Sequence, residues 1–122
     1  MPLSDAGVDI FHCSQRRFWE SEFEGSELNL AGWTQQITGK PAITVGSVGL
    51  DADFTPKPGE AHFKEADPAS LDTLLHRLDQ DEFDLVAVGR ALISNPDWVN
   101  LVQAKRMDDL KSFRKEHLGT LV

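Results

Sequence analysis

Cysteine is nearly missing from this 122-residue chain. Cys13 stands alone, so no internal disulfide can form, and no Cys/His spacing offers the four ligands of a structural zinc site. Any redox chemistry therefore needs a borrowed cofactor. Positive charge is also scarce: 12 Lys and Arg against 20 Asp and Glu leave a formal net charge of −8. Such a balance argues against wrapping a nucleic-acid backbone or coating an anionic membrane, both of which need clustered cations. No apolar run approaches the roughly 20 residues of a membrane-crossing helix. Met1 to Ile10 lacks the basic start and apolar core of a secretory signal. These absences lead us to expect a cytoplasmic protein with neither nucleic acid nor membrane as partner. A phosphate-bearing ligand would have to be held locally.

The length and the mix of apolar and charged residues suit one folded domain. Three apolar runs read as strands, Val8 to Ser14, Ala42 to Val48 and Phe83 to Gly89. The last two are rich in Val and Ile with little alternation, the pattern of strands covered on both faces in a parallel sheet. Leu28 to Thr38 reads as a helix stopped by Gly39. A second helix is expected from an Asp67 cap and Pro68, with Leu71, Leu74, Leu75 and Leu78 on one face. A third follows Asn95-Pro96-Asp97, with Asn95 as its cap, and a helical tail from Met107 to Val122 is anchored by Leu110, Phe113 and Leu118. Strand and helix alternate throughout, so the fold class is α/β with parallel crossovers.

Phe83 to Asp97 is the most informative segment, since a strand there delivers Gly89-Arg90 to the start of a helix. Gly89 lets backbone approach a ligand closely, and Arg90 presents a forked, permanent cation to phosphate. Gly46-Ser47-Val48-Gly49 ends the preceding strand in a similar way and adds a hydroxyl. Two neighbouring strand ends with glycines and unpaired amides make an anion cradle of Gly46, Ser47, Gly89 and Arg90. The plainer alternative is that the glycines merely turn the chain and Arg90 pairs with a surface carboxylate.

Other candidates carry less. His12 and Cys13 are adjacent on a strand and point to opposite faces, so they cannot form a nucleophile and base. His62, His76 and His117 show no evident partner, and Glu20, Glu22, Glu24 and Glu27 read as a solvated loop. Phe18, Trp19 and Phe23 follow a strand end, where they wall a flat ligand, cap a barrel or meet a missing neighbour.

Thr44-Val45-Gly46-Ser47-Val48 and Asp84-Leu85-Val86-Ala87-Val88-Gly89-Arg90-Ala91-Leu92-Ile93-Ser94-Asn95-Pro96-Asp97 resemble the C-terminal part of the old yellow enzyme family. Ala6-Gly7-Val8-Asp9 and His12-Cys13-Ser14 extend the likeness, which runs from about Ala6 to Gln103. The resemblance implies a partial (β/α)8 barrel, with the last three βα units matching strands six to eight and a C-terminal helix after them. It also implies FMN as cofactor, NADH or NADPH as reductant and an activated alkene as acceptor. In that family the FMN phosphate sits between the ends of strands seven and eight, which carries over to Gly46, Ser47, Gly89 and Arg90. A whole barrel takes about 250 residues, so this chain would be its C-terminal portion. The family's carbonyl-binding His/His or His/Asn pair and its proton-donating Tyr come from earlier strands, and this chain has no Tyr. No catalytic residue is therefore assigned. Two other readings stay open: a partial-barrel module that self-associates or pairs with another chain through its open edges, and a small doubly wound domain holding a different phosphate ligand.

Overall fold

Asn29 organises the first part of the chain. Its side-chain oxygen accepts from the Gly32 amide at 2.8 Å and starts helix α2, Leu30–Thr38. At the other end Gly39 adopts φ 67°, a left-handed conformation that needs no Cβ, and its amide closes on Gln35. The computed structural model describes residues 2–53, 58–59 and 65–119. The chain forms two compact units: Met1–Gly46 with Leu71–Ala87, and Ser47–Ser70 with Val88–Val122.

The first unit contains a short helix α1, Pro2–Asp5, and a three-stranded parallel sheet of β1 (Phe11–Ser14), β2 (Ala42–Val45) and β3 (Leu85–Val86), paired in chain order. Phe11 faces Ala42 and Ser14 faces Val45, while Ile43 faces Leu85. Helix α2 joins β1 to β2, and α3, Asp72–Asp79, joins β2 to β3. Asp84 aligns the junction of β2 and β3, because its carboxylate accepts from the Ala42 amide at 2.9 Å and from Gln35 Nε2 at 3.0 Å. Ala42 and Thr44 are fully buried, and Phe83, just before β3, is 1% exposed.

The α/β class and parallel pairing agree with the sequence, but several elements are shorter. The β1 ladder begins at Phe11 rather than Val8, whose carbonyl is taken by Lys40 Nζ. Nor are the strands covered on both faces: β2 alternates between buried and half-buried, and Leu85 in β3 is 52% exposed. Asp67 does not cap a helix. Its amide donates to the Asp51 carboxylate at 2.9 Å, and Pro68 forms an antiparallel bridge with Leu50. Helix α3 starts instead at Asp72, burying Leu71 and Leu74 but leaving Leu75 exposed.

The second unit carries helix α4, Arg90–Ser94, and helix α5, Trp98–Gln103. Asn95 is not the cap of α5. Its side chain donates to the carbonyls of Ala91 and Lys111 and accepts from the Lys111 amide at 2.7 Å, tying the tail to α4. The tail itself is not one helix, since it forms short 3-10 turns at Met107–Asp109 and Lys115–Gly119. Between them Phe113 is completely buried and bridges Ala66 through two backbone hydrogen bonds. Leu118 is 42% exposed and does not anchor it. Among the described residues no helix is long and apolar enough to cross a membrane.

Candidate functional site

Gly46 and Ser47 follow β2 in consecutive positive-φ conformations, 148° and 53°. Gly46 is required there by packing within the first unit, because a Cβ would lie 2.5 Å from the Gln15 carbonyl oxygen. Ser47 begins the second unit and is buried. Its carbonyl accepts from the Leu50 amide at 3.1 Å, turning the chain, and its hydroxyl donates to the Ala52 carbonyl at 3.1 Å.

Arg90, the first residue of α4, reaches this turn. Its Nη2 lies 3.3 Å from Ser47 Oγ and donates to the Ala52 carbonyl at 2.7 Å, a short charge-assisted contact. The guanidinium also sits 5.5 Å from the centre of the Phe113 ring, within cation–π range. Burial draws its pKa below the ordinary value, while the carboxylates of Asp53 and Asp51 oppose that shift by favouring the cation. Asp53 is only 5% exposed.

Sequence-predicted Ser47 and Arg90 are thus brought into contact, and Gly89 precedes Arg90 at the N-cap position of α4. A Cβ at Gly89 would meet nothing within 4 Å among the described residues. Among the described residues no backbone carbonyl accepts from the amides of Val48, Gly49 or Gly89. A cation beside a hydroxyl suits a phosphomonoester. The sequence did not single out Ala52, Asp53 or the position of Phe113 beneath the guanidinium. An Asp-Ala-Asp stretch just after a glycine turn was the available signal.

The remaining candidates resolve differently. Phe18 is 4% exposed, stacks edge-on to Trp19 at 5.3 Å and belongs to the core rather than to a ligand wall. Phe23 packs edge-on to Trp33 at 5.6 Å. Arg17 pairs with Glu20 at 2.9 Å in the acidic loop. Buried Cys13 lies 3.5 Å from Thr34 Oγ1, while His12 and His76 are exposed. His117 does have a partner: its Nδ1 is 2.7 Å from Ser94 Oγ and accepts from the Arg114 amide. Ser94 is buried, so the pair fastens the tail to α4. His62 lies outside the described residues. No group of three or more His, Cys, Asp or Glu placed to hold a metal occurs among the described residues.

Fold and site together define an α/β protein with a parallel three-stranded sheet and an arginine-centred polar cluster. Compared with protein-family models and with curated proteins, the chain has no match.

Proposed function

We propose that this chain is the phosphate-holding C-terminal portion of a cytoplasmic FMN-dependent oxidoreductase built on a (β/α)8 barrel, of the old yellow enzyme type. The single observation that carries the reading is the contact between Ser47 and Arg90, two residues chosen as phosphate ligands from separate stretches of sequence and found 3.3 Å apart. Supporting it, the three parallel strands pair in chain order, as successive barrel strands do. A doubly wound domain makes its ligand crevice where strand order reverses, and no reversal occurs among the described strands.

Within this reading Arg90 and Ser47 hold the FMN phosphate, with Gly89 leaving room for it and Gly46 setting the turn that presents Ser47. When bound, the flavin supplies hydride transfer from NADH or NADPH to an activated alkene. This chain's share is anchoring, and it provides no catalytic side chain. Titrating FMN into the protein while following flavin fluorescence tests the assignment. Saturable binding is expected, weakened roughly tenfold or more in Arg90→Ala, the scale of a lost hydrogen bond to a charged group. Riboflavin, which lacks the phosphate, should be insensitive to the substitution. Equal FMN affinity in the two proteins would remove Arg90 from the site.

A second reading, a partial-barrel module that pairs with another chain or with itself, draws on the open sheet. Among the described residues β1 and β3 are its outer strands, each paired on one side, and Leu85 on β3 is 52% exposed. Sedimentation equilibrium should then show a concentration-dependent mass. A monomer throughout the accessible range sets this reading aside.

A further inference from the structure

The guanidinium read above as a phosphate ligand is already engaged by its own chain. Arg90 Nη2 donates to the Ala52 carbonyl at 2.7 Å, and Ser47 Oγ, 3.3 Å away, donates its own proton to that same carbonyl. The next residue, Asp53, is a buried carboxylate, and it acts with Asp51 on the Arg90 charge. These are the groups an anionic ligand would otherwise supply: an oxygen acceptor at charge-assisted distance, and negative charge beside a cation.

We infer that the Asp51–Asp53 segment is a built-in occupant of the anion site, so that a phosphomonoester binds only by displacing the Ala52 carbonyl from Arg90, with Asp53 setting how hard that displacement is. The inference rests on Arg90 being an anion-binding residue. Its physical basis is a competition. An incoming phosphate must replace a short hydrogen bond, and it must enter the field of two carboxylates that stabilise the cation but repel the ligand. Neutralising a carboxylate removes repulsion while keeping side-chain size. An affinity-lowering residue inside a binding cluster is the opposite of what a purely ligand-shaped site would show.

The test compares the full chain with Asp53→Asn and Asp51→Asn, using inorganic phosphate and FMN as separate probes. The Arg90 Nε–H signal in 15N-resolved NMR and flavin fluorescence are the two readouts. Phosphate should half-saturate the Arg90 shift at a concentration roughly tenfold lower in Asp53→Asn than in the unaltered protein, the scale of one partly screened like charge. Asp51→Asn should move it in the same direction by less. That exposed position carries the comparison by itself should Asp53→Asn fold poorly. Tighter phosphate binding at Arg90 with no FMN binding to any of the proteins would uphold the inference and remove the flavin reading. FMN binding equally to all three would uphold the flavin reading and overturn the inference. An Arg90 signal that phosphate moves in none of them also overturns it.

Discussion

Asn29→Ala is expected to lower stability by about 3–5 kcal/mol, since it orphans three buried hydrogen-bonding groups at once, each worth roughly 1–3 kcal/mol. The Asn29 side chain is fully buried. Its Nδ2 donates to the Phe18 carbonyl at 2.9 Å and to Thr44 Oγ1 at 3.1 Å, and its Oδ1 caps α2 through the Gly32 amide. One residue therefore fixes the aromatic loop after β1, the middle of β2 and the start of α2. Against a total stability on the order of 5–15 kcal/mol, this loss is large. Urea unfolding should show a lower midpoint at unchanged slope. Asn29→Asp separates the roles, because it keeps the capping oxygen and loses the donor. If capping were the whole contribution, Asp would be nearly neutral. The structure calls for Asp to be strongly destabilised too, with a carboxylate oxygen forced against the Phe18 carbonyl.

The helix ends that the sequence marked correctly are those set by local chemistry. Gly39 stops α2 because a left-handed residue is cheapest without a Cβ, and that preference is visible in any short window. Asp67-Pro68 misled for the same reason in reverse. The pair has the chemistry of a helix start, but Asp51 and Leu50, distant in sequence, engage it first. Asn95-Pro96-Asp97 likewise has a helix-start pattern, yet Lys111 claims the Asn95 side chain from sixteen residues away. Apolar runs overstated the strands because hydrophobicity records burial, whereas a ladder also needs a partner with free backbone groups. Phe83 is buried outside β3, and Leu85 is paired while exposed.

The candidate site was legible to the extent that its chemistry is local. Gly-Ser and Gly-Arg at strand ends are short patterns, and the contact of Ser47 with Arg90 brings the two stretches together. What could not be read is the carbonyl of Ala52, since every residue has one and only the turn beginning at Ser47 aims it at Arg90. The alternative of a surface carboxylate partner for Arg90 differs from the contact found, in which a backbone oxygen of its own chain accepts from it. The internal acceptor and the proposed phosphate would meet the same guanidinium, so its ligand affinity and the order of the Asp51–Asp53 segment should be measured together.

Phe113→Ala should cost the second unit about 3–5 kcal/mol, the usual range for emptying a buried phenylalanine site. The ring has no exposure, and the backbone on which it stands exchanges two hydrogen bonds with Ala66, at 2.7 and 3.2 Å. On either side the bridge is braced by the Ser112 hydroxyl and by Arg114, both donating to the Asp67 carboxylate, and by Asn95 on Lys111. The Ser112 bond and then Arg114 hold the Asp67 carboxyl below its ordinary pKa, so these ties persist to lower pH than an unperturbed carboxyl would allow. Those braces do not replace the ring. Without it a cavity opens beneath the Arg90 guanidinium, which sits 5.5 Å above the ring centre. Hydrogen exchange at the amides of Ala66 and Phe113 reads the loss directly, and protection should fall by roughly a hundredfold or more, the equivalent of about 3 kcal/mol. Phe113→Leu refills most of the volume but has no π face. It should recover most of the protection while leaving the Arg90 guanidinium faster in exchange with solvent, and recovery of both would mean the ring acts on Arg90 through packing alone.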